Sequence, residues 1–225
     1  MSSAKAPSPE QPAIWSRIRL GDRCDIPIMH RLIQQSIASH LLDDHFSPNE
    51  CSLSALFPSS PLPPFRSYTV LILELSPSPI VSNESESDFR PLVKRIALQS
   101  VVEDPEAAAF ASPRGAALVV AGFVLCFPNY STFMGRPGLY VEDIFVREVW
   151  RRRGLGRMML TLVVREAAKM GCGKVEWSVL DRNDNASSFY EGMGAAMFPQ
   201  WRIFRLTGEE LSKYAGEEED RDGQL

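Results

Sequence analysis

Leu139-Tyr140-Val141-Glu142-Asp143-Ile144-Phe145-Val146, followed closely by Arg151-Arg152-Arg153-Gly154-Leu155-Gly156, is the stretch that decides the fold. The first run is rich in β-branched, aromatic and apolar residues and reads as a strand. Downstream, Leu155, Met158, Met159, Leu162, Val163, Ala167 and Met170 recur at helical spacing, with Arg157, Thr161, Arg165 and Lys169 on the opposite face. Gly171 and Gly173 supply the stop. The order is therefore strand, basic glycine-bearing turn, helix. Such a turn directs backbone N–H groups and the positive end of a helix dipole at one place, where an anion can rest. Glycine at 154 and 156 lets the backbone approach a phosphate without an intervening Cβ. A P-loop would need G-x-x-x-x-G-K-[ST], which the chain lacks. A dinucleotide fingerprint would need a third glycine.

The chain has 225 residues, enough for one domain with appendages and a sizeable core. With 44% hydrophobic and 23% charged residues it has the composition of a soluble globular protein. A net charge of −4 argues against nucleic acid as the main partner. The positive charge is local, at Arg147, Arg151, Arg152, Arg153 and Arg157, as suits a polyphosphate ligand. Cys24, Cys51, Cys126 and Cys172 lack paired spacing, and His30, His40 and His45 form no ligand pattern, so neither a disulfide frame nor a metal site is expected. No secretory leader or membrane span is visible, which points to the cytoplasm.

Taken in order, residues 1–12 read as a disordered tail. Residues 14–20 alternate as a first strand, after which Asp25 is placed to cap a helix carrying Ile28, Leu32, Ile33 and Ile37. A polar link containing Asp43 and Asp44 leads to a short helix near 47–56. Residues 68–74 form a buried strand, and the Ser-, Pro- and acid-rich segment near 76–92 reads as a disordered insertion. Strands are expected near 95–102, over 117–127 with Gly122 marking a bulge or close approach, over 174–179, and over 201–206. Residues 185–193 read as a short helix. Thr207-Gly208-Glu209-Glu210 suits a capping box for a last turn of helix. The domain would run from 13 to 214, with an acidic tail at 215–225. The sum is a mixed α/β sheet wrapped by helices.

Arg151, Gly154 and Gly156 resemble the R-x-x-G-x-G/A signature of the GNAT N-acetyltransferases. Asn183-Asp184-Asn185-Ala186-Ser187-Ser188-Phe189-Tyr190-Glu191-Gly192-Met193-Gly194-Ala195 resembles that family's N-x-x-A-x-x-F-Y-x-x-x-G-A run. The two together are far more specific than either alone. The likeness is greatest to the branch that acetylates diamines and polyamines, and within it to plant members that act on ornithine and related diamines. It implies an α/β fold whose mostly antiparallel central sheet is splayed at a β-bulge and flanked by helices. It also implies acetyl-CoA as co-substrate and a homodimer.

The same resemblance distributes the roles. Ile144, Phe145 and Val146 would offer backbone N–H groups to the acetyl carbonyl and pantetheine. Arg151, Arg152, Arg153, Gly154, Leu155, Gly156 and Arg157 would hold the pyrophosphate, with Asn183, Asn185 and Ala186 lining the cofactor further along. Glu142 is the candidate base, because an alkylammonium of pKa about 10 must lose a proton before attacking a thioester. Tyr190 is the candidate acid for the departing thiolate. Asp43, Asp44, Asp143 and Trp201 join Glu142 as candidate substrate contacts. Adjacent strand residues face opposite ways, so Glu142 and Asp143 share a cleft only if a bulge breaks the parity. The loop at 129–135 lacks the acid that animal polyamine enzymes carry there, which favours ornithine-like amines over spermine. The alternatives are polyamine or protein N-terminal acetylation, and a non-catalytic acyl-CoA-binding regulator.

Overall fold

A computed structural model describes residues 11–39, 48–59, 62–81 and 89–215. They divide into two compact units, one ending at Ser178 and one beginning at Val179. The first unit contains β1 (Ala13–Leu20), α1 (Ile26–Ser39), α2 (Glu50–Leu53), β2 (Thr69–Ser76) and β3 (Leu92–Ala97). It continues with β4 (Val119–Ser131), β5 (Arg136–Val146), α3 (Leu155–Lys169) and β6 (Lys174–Trp177). The second unit contributes α4 (Asp184–Glu191) and α5 (Gly208–Ser212).

The six strands form one sheet in the order β3-β1-β2-β4-β5-β6. Every pairing is antiparallel except β5 with β6, where α3 supplies the crossover a parallel pair requires. This is the mixed, mostly antiparallel α/β sheet expected. On one face Val70, Ile72, Phe123 and Phe145 pack with Ile26, Ile28, Met29, Leu32 and Leu53 from the first two helices. Fully burying an aliphatic or aromatic side chain stabilises by about 1.5–3 kcal/mol, so this cluster is a main contributor to the fold.

Two register shifts bend the sheet. Along β2 and β4 the pairing passes from Leu73↔Gly122 to Glu74↔Val120, leaving Ala121 extra. Next to it, a Cβ on Gly122 would lie 2.3 Å from the Phe145 carbonyl oxygen, so this is the close approach foreseen for that glycine. Along β4 and β5 the pairing passes from Leu125↔Asp143 to Cys126↔Val141, leaving Glu142 extra. Pairing of β6 covers only Gly138 to Val141, so β5 and β6 part company where the bulge begins.

Several boundaries differ from expectation. Asp25 does not cap a helix: Asp22 caps a 3-10 turn at Arg23–Asp25, and Asp25 is the buried return partner whose Oδ2 accepts the Asp22 N–H. The strand foreseen at 95–102 lies at Leu92–Ala97, where β1 pairs with it. Residues 201–206 form no strand, and Ile203 and Phe204 are exposed. The last helix forms without the side-chain cap foreseen from Thr207. Of the segment near 76–92, residues 82–88 lie outside the described residues, while Phe89 is buried with its ring 6.1 Å from that of Phe65.

A buried ionic cluster ties β1, β2 and the segment before β4 together. Arg17 donates to Glu74 Oε2 at 2.7 Å, and Arg19 to Glu74 Oε1 at 2.9 Å. Arg19 also forms a fork of two 2.7 Å bonds to Asp25. Ser112 Oγ donates to the same Glu74 oxygen that Arg19 uses. Arg17, Arg19, Asp25, Glu74 and Ser112 are all buried. Burial alone would make Arg19 easier to deprotonate, but its bonds to Asp25 and Glu74 outweigh that and push its pKa up.

Candidate active site

The turn between β5 and α3 is held by its own arginines. Arg151 Nε donates to the Val146 carbonyl at 2.8 Å, with its guanidinium 5.3 Å from the Phe145 ring centre. Arg153 Nη1 donates to the carbonyls of Val149 and Arg151 at 2.9 and 2.8 Å. Arg152 adopts φ +63° and Gly154 φ +74°, two left-handed residues that turn the chain sharply into α3. Gly154 occupies the N-cap and offers no side chain to the first turn of the helix. With Leu155 buried, and with Arg152 and Arg157 exposed, the turn presents a helix N-terminus with cations around it.

This turn is anchored from outside by Asp104. Its two carboxylate oxygens accept from Arg147 Nη1 and Nη2, both at 2.7 Å, and Oδ2 also accepts from Trp150 Nε1 at 2.9 Å. Arg147 is buried, lies 3.8 Å over the Phe110 ring centre, and through its backbone N–H bonds the carbonyl of the bulge residue Ala121. Burial by itself would raise the Asp104 pKa, but the bonds from Arg147 and Trp150 and the arginine charge hold it below the usual carboxylate range. Neither Asp104 nor the anchoring use of Arg147 was legible in the sequence, because no periodicity marks a loop residue that reaches a strand end.

On β5 the bulge sorts the acidic pair. Glu142 has no register partner and is exposed, whereas Asp143 is half-buried opposite Leu125. Phe127 pairs with Tyr140 and Leu125 with Asp143, so Tyr140 and Asp143 occupy the same face although three positions apart. On that face the rings of Tyr68, Phe127 and Tyr140 form a row with 5.5 Å between successive centres. Tyr140 Oη and Ser178 Oγ share a 2.8 Å hydrogen bond at the end of it. Ile144, Phe145 and Val146 pair with β4, and their other edge lies beyond the last paired residue of β6.

The second unit carries the remaining candidates. Asn183 caps α4, its Oδ1 accepting from the Ala186 N–H at 3.2 Å, which fixes the start of the helix that bears Tyr190. Asn185 lies on the first turn of that helix. Tyr190 is half-buried, its ring 5.1 Å from that of Phe189. Desolvation pushes the pKa of its phenol up, so the hydroxyl holds its proton at neutral pH. Trp201, at 68% exposure, is not a packed core residue. Asp43 and Asp44 lie outside the described residues. Among the described residues no group of His, Cys, Asp and Glu could hold a metal ion, and no helix is long and apolar enough to cross a membrane.

Gly154→Asp would add a carboxylate at the helix N-terminus where a phosphate is expected and force a β-carbon into φ +74°. Acetyl-CoA affinity should fall at least about tenfold, or 1.4 kcal/mol, by calorimetry. Unchanged affinity in a folded variant would remove the phosphate role from this turn.

Comparison with known proteins places this geometry. Residues 73–195, more than half of the chain, match the model of the acetyltransferase (GNAT) family. The chain is 44% identical over 207 residues to the L-ornithine N5-acetyltransferase NATA1 of Arabidopsis thaliana, covering 91% of this chain and 90% of that one. It is 33% identical over 210 residues to tyramine N-feruloyltransferase 4/11 of Nicotiana tabacum, covering 91% and 93%. Among solved structures, an aminoglycoside acetyltransferase from an uncultured soil metagenomic sample aligns with a TM-score of 0.54 at 15% identity, covering 86% of this chain and 97% of that one. That likeness is one of fold. The anion-ready turn after a bulged strand, the parting of β5 and β6, and the match through residue 195 have one explanation: the chain belongs to the acetyltransferase (GNAT) family, enzymes that take their acetyl group from acetyl-CoA.

Proposed function

We propose that this chain moves the acetyl group of acetyl-CoA onto a primary amine of ornithine or a short diamine, with Glu142 as base and Tyr190 as acid. The observation that carries the substrate class is the 44% identity, over nearly the whole chain, to an L-ornithine N5-acetyltransferase. In the proposed step Glu142, directly or through water, accepts the ammonium proton. The free amine then attacks the thioester carbonyl, the tetrahedral adduct expels the CoA sulfur, Tyr190 donates its proton to that thiolate, and the second proton shed by the new amide nitrogen restores the phenol. Two features support the assignment. The bulge takes Glu142 out of the cross-strand pairing at the sheet's parting point, and desolvation keeps Tyr190 protonated. Arg151, Arg152, Arg153, Gly154, Leu155, Gly156 and Arg157 form the proposed pyrophosphate cradle, with Ile144, Phe145 and Val146 beside the thioester.

The test is a panel of ornithine, putrescine, diaminopropane, spermidine, lysine, tyramine and peptide amines with acetyl-CoA, repeated with feruloyl-CoA. Ornithine or a short diamine with acetyl-CoA should give the highest kcat/KM. Preference for tyramine with feruloyl-CoA would instead extend the likeness to the tobacco feruloyltransferases. A homodimer belongs to the same proposal. Met197, Phe198, Trp201, Ile203 and Phe204 are all exposed, and a second copy would bury such an apolar stretch. Light scattering at working concentration reads that directly.

A further inference from the structure

We propose that Arg23 receives the carboxylate of an amino-acid substrate, so that the enzyme selects diamino acids over simple diamines. The assignment rests on the reading that a small amine is acetylated beside Glu142.

The observation is a cavity of about 390 Å³ in the first unit, lined by none of the proposed cofactor residues. Leu20, Asp22, Arg23, Phe57, Tyr68 and Val70 are among its walls. Its volume is at the small end of ligand pockets, suited to a compact metabolite. Two charged side chains reach it, and they are not equivalent. The Asp22 carboxylate is occupied: Oδ1 accepts from the Cys24 N–H at 2.8 Å, and Oδ2 is paired with Arg114. Arg23 is exposed, and its Nε donates to the Phe57 carbonyl at 2.9 Å. That bond holds the guanidinium in place while Nη1 and Nη2 have no partner among the described residues. Two parallel N–H donors in a fixed plane match the two oxygens of a carboxylate. An apolar wall with one oriented guanidinium is a site for an organic anion, not for a polycation.

The cavity and the candidate base belong to one sheet, two strands apart. Val70, in its wall, pairs with Leu125, and Leu125 pairs with Asp143 beside the bulge. Tyr68, another wall residue, begins the aromatic row that continues through Phe127 to Tyr140. Both rows lie on one face and cross two strand spacings, roughly 10 Å in all. The side-chain amine and the carboxylate of ornithine are roughly 6 Å apart when extended. For one ornithine to meet both groups, the Arg23 side chain has to span the difference. A simple diamine has no group for Arg23 and places a second cation toward it, which costs affinity.

The experiment compares Arg23→Gln with the wild type on L-ornithine and putrescine, acetyl-CoA saturating. The ratio of kcat/KM for ornithine to that for putrescine should fall at least about tenfold, carried by KM. An unchanged ratio overturns the proposal, including the case in which both substrates decline together because the tie to Phe57 was only structural. If the variant fails to fold, the wild type decides alone. It should acetylate 5-aminopentanoate with a lower KM than pentylamine, and equal KM values would overturn the proposal. If the wild type acetylates none of these amines, the reading of activity fails separately. Calorimetry of ornithine and 5-aminopentanoate with the wild-type protein then tests Arg23, and absent or carboxylate-independent binding overturns it.

Discussion

Tyr190→Phe is expected to lower turnover by about 10²–10⁴-fold while acetyl-CoA affinity stays within a few-fold. The substitution removes one hydroxyl and keeps the ring, so its packing with Phe189 is retained. What is lost is the proton that would neutralise the departing thiolate. Desolvation raises the phenol pKa, so the donor is fully loaded at neutral pH and weaker as an acid than an exposed tyrosine. Loss of that proton should therefore lower the wild-type rate at high pH, as pH rises through that elevated value. The variant should lack that alkaline limb. Glu142→Gln should instead slow the chemical step by removing the proposed acceptor of the ammonium proton. Stopped-flow measurement of the chemical step separates the two. A Tyr190→Phe enzyme with wild-type turnover in that step would make the hydroxyl a bystander.

The largest stability effect should come from Glu74, which has no proposed part in the chemistry. It is completely buried and is the shared acceptor for Arg17 and Arg19. Glu74→Gln keeps the shape but leaves the buried Arg17 without a negative partner; Arg19 retains Asp25. Breaking a buried pair by removing one partner typically costs about 3–5 kcal/mol. Against a total stability of about 5–15 kcal/mol, that is enough to leave part of the chain unfolded at ordinary temperature. Urea denaturation should show a loss of at least about 2 kcal/mol, well beyond the ±0.5 kcal/mol of an ordinary surface change. A loss under about 1 kcal/mol would mean that water or rearrangement solvates Arg17. Replacing Arg17 and Glu74 together by apolar residues of similar volume should recover much of the loss, since two buried charges would vanish at once.

These expectations divide between what the sequence displays and what only contact reveals. The strand, turn and helix around Gly154 were legible because amphipathic period, glycine placement and local charge agree over a continuous stretch. Gly122 was legible for a similar reason, as a glycine inside an apolar strand. The bulge at Glu142 came from family resemblance; two acids in succession do not reveal which one leaves the ladder. Arg17 and Arg19 illustrate the limit. Alternation over residues 14–20 gives no reason to bury two arginines, yet both are buried because Glu74 and Asp25 meet them from other elements. The strand at Leu92–Ala97 was shifted for a kindred reason. Lys94 and Arg95 are exposed, and pairing with β1 gives that segment its form more than its own side chains do. The stretch at 201–206 has the strand composition but forms no strand among the described residues.

Asp104 makes the proposed cofactor turn a discontinuous unit. Residues 151–156 carry the recognisable signature, but the support beneath them enters from a loop about forty positions earlier, through Arg147 and Trp150. Transplanting the signature alone onto another α/β scaffold would move the turn and leave its foundation behind. The portable piece in this chain is the turn together with the loop that supports it, and any graft, chimera or shortened version has to be cut with both in view.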